Sequence, residues 1–278
     1  MADQPLLRHA RTRSPSQLLQ LLFRRHFSPY RAYLRRDLRM VVVLNPKVAT
    51  TTFRKVLLDA LQVTQTRPQL GRIWPFDYSR RHLFSPPADY FDLFLHPRRY
   101  RFSCFVRNPY FRLLSAWRDK FRLDVNGMPA ARSMSRELPA IRRFARARNL
   151  AGAGHGVDVP FATFVEYVES QKEGARNHHW DSQCSVLATD LVDYDDVYRI
   201  ETELVRGMSQ IFSGFGLPEE WLSGRLARPL NKSDRTVAQV YTSDLADRVY
   251  RLYRSDFEQF GYDHNSWRQL SPDLQETP

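Results

Sequence analysis

Long hydrophobic runs are missing from these 278 residues. No stretch approaches the ~20 apolar residues that a membrane-spanning helix needs. The opening MADQPLLRHARTRSPS has none of the apolar core of a secretory leader. Cysteine is scarce, with only Cys104 and Cys184, so one disulfide at most is possible on count. Cys104 sits inside the apolar run Phe102–Val106 and reads as a buried thiol in a strand. Metal-site spacings of the HExxH or CxxC kind are lacking, and so are internal repeats. Acidic residues fall short of basic ones, 30 against 42, which leaves a net charge of +12. That surplus predicts an anionic partner: a nucleotide, a nucleic acid, an acidic glycan or a membrane surface. The expectation is a cytoplasmic protein, with peripheral contact at a membrane left open.

What is present suits a packed fold. Hydrophobic residues make up 42% of the chain and aromatics 13%, enough for a sizeable core. Residues 1–36 read as a basic tail with a short amphipathic helix over Gln17–Phe23. Residues 37–265 read as one domain, and 266–278 as a C-terminal tail. Met40–Leu44 is short, β-branched and apolar, as a buried parallel strand is. After Asn45 and Pro46, the spacing of Phe53, Val56, Leu57, Ala60 and Leu61 predicts a helix. Phe102–Val106 is a second such strand. Asn108 fits an N-cap and Pro109 a first helical turn. Tyr110, Leu113, Leu114, Trp117 and Phe121 then line one helix face. Residues 123–158 read as an irregular insertion with helix near Leu138–Arg146. Further helices are predicted over Phe161–Glu169 and from Glu201, with a strand at Val197–Ile200. One long helix carries Leu245 to Phe260, stopped by Gly261. Strand and helix alternate, which predicts an α/β fold with a parallel sheet flanked by helices.

Two segments carry chemistry. In Asn45–Phe53, a loop leads from a buried strand into a helix, so free N–H groups and the helix dipole form an anion site. Lys47 adds a mobile cation and Thr50, Thr51 and Thr52 add hydroxyls. The loop lacks the glycines of a Walker A sequence. In Val106–Arg118, Arg107 stands at the carboxyl end of a strand, where open α/β sheets bind ligands, and can grip a phosphate. Ser115, two turns into the helix, can donate to the same phosphate. Read from residues alone, two other functions stay open. One is a nucleotide-dependent phosphotransferase, although the Gly-Lys-Ser/Thr arrangement is missing. The other is a basic nucleic-acid-binding protein, although no reading motif is evident.

Together the segments resemble the membrane-type carbohydrate sulfotransferases, the group that includes the chondroitin and dermatan 4-O-sulfotransferases. The likeness rests on Pro46-Lys47-Val48-Ala49-Thr50-Thr51-Thr52 and on Arg107-Asn108-Pro109-Tyr110-Phe111-Arg112-Leu113-Leu114-Ser115-Ala116-Trp117, continued by Asp119-Lys120-Phe121. Asn177-His178-His179-Trp180 with Gln183 and Cys184, Asn231-Lys232-Ser233 and Tyr253–Tyr262 extend it to residues 41–262. The chain departs from the family pattern at Asn108, at Trp117 and at Cys184, which stands alone where paired cysteines are usual. Animal members carry a transmembrane anchor; its lack here points to a soluble, bacterial-style enzyme.

The resemblance implies a P-loop-NTPase-like sulfotransferase fold and a donor, 3′-phosphoadenosine-5′-phosphosulfate, with 3′,5′-adenosine bisphosphate as product. It implies no requirement for metal, no nucleic acid partner, and a carbohydrate or other hydroxyl acceptor. Lys47, Val48, Ala49 and Thr50–Thr52 would hold the 5′-phosphosulfate, and Arg107 and Ser115 the 3′-phosphate. Asn231, Lys232 and Ser233 would close over the nucleotide. Lys47 would stabilise the leaving oxygen. The general base would be a histidine: His179, its neighbour His178, or His82 upstream of the second strand.

Overall fold

The computed structural model describes residues 14–21, 24–26, 31–60, 87–121, 137–154, 158–216, 219–226 and 240–268. His82, Asn231, Lys232, Ser233 and both chain ends lie outside the described residues.

Four strands form one sheet in the order β1-β2-β3-β4: Ala32–Arg35, Met40–Val43, Arg101–Val106 and Asp196–Arg199. β2, β3 and β4 run parallel, with Val43 opposite Cys104 and Val106 opposite Arg199. β1 runs antiparallel to β2, with Ala32 opposite Val43. The sheet is therefore mixed, not wholly parallel as expected. It also takes in residues 32–35 of the segment read as a tail. The cause lies at the edge of the sheet: β1 has one neighbour and carries Arg35 beside Arg36, charges that an edge strand tolerates and a central one does not.

β2 is apolar at every position, and β3 at all but Arg101 at its exposed start and buried Ser103, whose hydroxyl donates to Asp196, because helices cover both faces. Side chains alternate as strand geometry requires. Val42, Phe105 and Tyr198 pack with α2 (Thr50–Ala60) and α8 (Ile200–Phe212). Val41, Val43, Cys104 and Val106 face a second cluster with Leu21 of α1 (Pro15–Leu21) and Leu187 of α7 (Gln183–Leu187). Both cysteines are free thiols, and Cys104 is buried. Gly207 lets α8 lie close on the sheet: a Cβ there would stand 2.6 Å from Tyr198 Cγ and 2.7 Å from Phe105 Cε1.

A third cluster is helical. It joins α4 (Pro109–Phe121), α5 (Glu137–Ala147), α6 (Phe161–Glu169), α10 (Ser243–Leu252) and α11 (Arg254–Phe260) around buried Trp180. The remaining helices are α3 (Pro87–Leu95) and α9 (Glu219–Leu226). The single long C-terminal helix expected from periodicity is broken at Tyr253, whose φ of −120° leaves the helical region and whose hydroxyl donates to the Trp180 carbonyl at 2.5 Å. Gly261 ends α11 in the left-handed region at φ 63°, as expected. Among the described residues no helix is long and apolar enough to cross a membrane.

Candidate active site

The loops leaving the carboxyl ends of β2 and β3 meet a third segment, residues 177–183, on one side of the sheet. The first loop is wound more tightly than its composition suggests. Lys47 and Ala49 both adopt left-handed backbone, at φ 67° and 48°, where glycine is the usual occupant. The Ala49 carbonyl accepts the first helical bond of α2, from Phe53 N–H at 2.9 Å. The N–H groups of Thr50, Thr51 and Thr52 therefore open α2 with no helical carbonyl behind them. Thr50 Oγ1 donates to the Asn45 carbonyl at 2.7 Å and pins the loop, while Val48 is buried beneath it. Thr51 is exposed and Thr52 half-buried.

Lys47 Nζ lies 3.0 Å from Asp119 Oδ2 on α4, and Lys120 Nζ lies 3.0 Å from that same oxygen. Burial lowers the Lys47 ammonium from its ordinary value, and the Asp119 carboxylate beside it works the other way. Burial would raise Asp119, but the two lysines outweigh it and hold its carboxyl low. Arg107 Nη1 donates to the Lys47 carbonyl at 3.3 Å, so the two cationic residues predicted to bind the donor are in contact. Ser115 is half-buried on α4. Asn108 caps α4, as expected: its carbonyl accepts from Arg112 N–H at 2.9 Å and its Oδ1 from Tyr110 N–H at 3.0 Å.

Several residues given no role by sequence reasoning hold this arrangement. Gln183 acts as a short stand-in for a strand: Oε1 accepts from Arg107 N–H at 2.9 Å, and Nε2 donates to the Arg107 carbonyl at 2.8 Å. The same Oε1 accepts from Asn45 Nδ2 at 2.9 Å. Arg112, fully buried, donates to the carbonyls of Pro46 (3.2 Å), Asp181 (2.6 Å) and His178 (3.0 Å). Asp256 caps α7 by accepting from Gln183 N–H at 2.8 Å and Cys184 N–H at 2.9 Å. Burial raises its carboxyl despite those bonds. The Tyr253–Phe260 motif is thus scaffolding for the histidine segment. Asp181 receives Ser182 N–H on Oδ1 at 2.9 Å and stands 2.6 Å from His26 Nε2. The signal for Arg112, Asp256 and Gln183 was their place within the motifs that carry the resemblance; Asp181 carried none.

His178 and His179 stack, with ring centroids 4.2 Å apart. His179 Nδ1 is 2.8 Å from Asn177 Oδ1. Asn177 Nδ2 in turn donates to Glu137 Oε1 at 3.0 Å. Burial, helped by Arg31, His26, Arg112 and Lys120, lowers His178 to about 3. Burial also pushes His179 far down, with added repulsion from His178, Lys120, Lys47 and Arg112. Both rings are therefore neutral at working pH, and His179 lies within the field of Lys47. The structure thus gathers Lys47, Arg107, His178 and His179 around the loop and the first turns of α2 and α4. Among the described residues no group of three or more His, Cys, Asp or Glu could hold a metal ion.

The donor set is that of a site for a multiply charged anion: left-handed turns, free helix N–H groups, two cations and hydroxyls. Residues 31–263 match the Sulfotransferase family. Carbohydrate sulfotransferase 11 of Danio rerio is 24% identical over 249 residues, 84% of this chain and 67% of its own. Carbohydrate sulfotransferase 12 of Mus musculus is 26% identical over 246 residues, 78% of this chain and 56% of its own. Carbohydrate sulfotransferase 11 of Mus musculus is 30% identical over 169 residues, 57% of this chain and 46% of its own. The chain thus spans from about half to two thirds of the length of these relatives. No solved structure matches it.

Proposed function

The chain belongs to the sulfotransferase family, and from that premise we propose that it moves the sulfuryl group of 3′-phosphoadenosine-5′-phosphosulfate to a hydroxyl of a carbohydrate. The observation that carries the reading is the left-handed Lys47 loop in contact with Arg107. The carbohydrate acceptor follows from the names of the relatives, all carbohydrate sulfotransferases. The donor supplies an activated sulfuryl group on a phosphosulfate anhydride.

The chain's own residues do the rest. Lys47 and the N–H groups of Thr50–Thr52 face the 5′ end of the donor and stabilise charge on the departing oxygen. A bound anion competes with Asp119 for the Lys47 ammonium. Arg107 and Ser115 hold the 3′-phosphate. His179 takes the proton of the acceptor hydroxyl at Nε2. Burial is the main cause of its low basicity and persists when donor is bound; anionic groups beside Lys47 offset only the part that comes from the nearby cations.

The test is two-part. Thermal shift should show stabilisation by 3′,5′-adenosine bisphosphate and not by ATP with magnesium or by DNA. Labelled donor, incubated with neutral and acidic glycans, should yield a sulfated glycan detected by mass spectrometry. Stabilisation by ATP-magnesium alone, with no transfer, would replace the reading with a phosphotransferase.

A further inference from the structure

We propose that Glu137 and Asn177 are a positioning pair that fixes the tautomer of His179, leaving the Nε2 lone pair for the acceptor proton. The inference rests on the reading of His179 as the base.

The argument is a chain of forced assignments. A carboxylate oxygen that meets an amide can only accept. Glu137 Oε1 lies 3.0 Å from the Asn177 side-chain amide, and its Oε2 faces the Tyr167 hydroxyl at 3.5 Å. The Asn177 nitrogen must therefore face Glu137, which settles the orientation of an amide whose two ends are otherwise alike. Asn177 Oδ1 is then turned to His179. There it accepts the backbone N–H at 3.0 Å and lies 2.8 Å from Nδ1. A carbonyl oxygen cannot donate, so Nδ1 carries the hydrogen. A neutral imidazole has only one, and Nε2 is left with a lone pair. The surrounding cations, Lys47, Lys120 and Arg112, offer nothing that accepts a hydrogen from Nε2, so they do not favour the opposite tautomer.

Glu137 touches no reacting atom. It opens α5 in the stretch read from sequence as an irregular insertion, forty positions from Asn177. Its effect passes through Asn177: without it only the His179 backbone N–H still holds Oδ1 in place, and an amide that turns presents N–H to Nδ1. That would move the imidazole hydrogen to Nε2 and remove the base.

The experiment uses the full chain, with E137A, E137Q, N177D, the N177D/E137Q pair and H179A. The readouts are steady-state transfer, calorimetric binding of 3′,5′-adenosine bisphosphate, and the tautomer of His179 by nitrogen NMR on histidine-labelled protein. E137A should lower kcat on the order of 10- to 100-fold, as loss of a group that orients a catalytic ligand does. Nucleotide binding should hold, and the NMR signal should show a mixture of tautomers. E137Q keeps an oxygen acceptor for Asn177 and should recover most of the rate. N177D sets two carboxylates against each other and should be poor. N177D/E137Q restores a donor–acceptor pair and should regain both rate and tautomer. Full rate and an unchanged Nε2 lone pair in E137A would overturn the proposal. Undiminished transfer by H179A would instead overturn the base reading, while the NMR result still decides whether the pair sets the tautomer.

Discussion

Lowering the pH should destabilise this protein through its two buried, stacked rings, His178 and His179, and the size of the effect can be worked out for His178. Burial lowers His178 to about 3, with Arg31, His26 and Arg112 adding to the shift. In the unfolded chain the same imidazole titrates near ~6.5. Between those values the unfolded state binds a proton that the folded state refuses, so stability falls as pH falls. The loss begins just below the unfolded value and continues toward the folded one. From pH 7.5 to 5 it amounts to about 2 kcal/mol for His178 alone. That is a large part of the ~5–15 kcal/mol that separates folded from unfolded states. The figure depends little on how far the folded value lies below 4, because at pH 5 the folded ring is neutral either way. Urea denaturation at pH 7.5, 6 and 5 on wild type and H178Q isolates the term, since carboxylates titrate alike in both. The gap between the two proteins should move by about 2 kcal/mol in favour of H178Q over that range. Parallel pH profiles would refute the reasoning and make His178 a solvated ring.

Other outcomes follow from the same geometry. Lys47→Ala should cut kcat on the order of 10²-fold while bisphosphate affinity falls much less, measured by single-turnover transfer beside calorimetry. Lys47→Arg should restore only part of the rate, since a planar fork does not replace a point charge. Arg107→Ala should weaken 3′,5′-adenosine bisphosphate by about 1.5–3 kcal/mol per lost charge-assisted bond and adenosine 5′-phosphosulfate less; equal losses would point to a disturbed fold. Gly207→Ala should lower stability by about 1 kcal/mol or more in urea denaturation. The ~1 kcal/mol gained in helix propensity is outweighed by driving a Cβ into Tyr198 and Phe105.

The sequence made some of this legible and hid the rest for identifiable reasons. β2 and β3 stood out because strands covered on both faces are dominated by apolar residues, Ser103 being the buried exception. α2 and α4 stood out because their apolar residues repeat at helical spacing, and Asn108 announced its own cap. β1 did not, since it is only four residues long and its Arg35, with Arg31 and Arg36 on either side of the strand, makes the stretch look like part of a basic tail. Nor did the break at Tyr253, because the apolar period continues through it and only a tertiary bond to Trp180 disrupts the helix. The winding of the Lys47 loop had no glycine to signal it. The Glu137–Asn177–His179 chain joins residues too far apart in sequence for any spacing rule, and its members are ordinary polar residues until the fold sets them side by side.

Gln183 has a consequence for how the two substrates sense each other. One side-chain amide holds Asn45, at the entrance to the Lys47 loop, and the backbone of Arg107, while its own backbone N–H is held by Asp256 at the end of the histidine segment. A nucleotide that favours one arrangement of the two loops therefore favours one arrangement of the segment bearing His178 and His179. Thermodynamic linkage makes that influence reciprocal. Whatever factor the nucleotide contributes to acceptor affinity, the acceptor returns to the nucleotide. The order in which they arrive changes the route but not the free energy of the ternary complex.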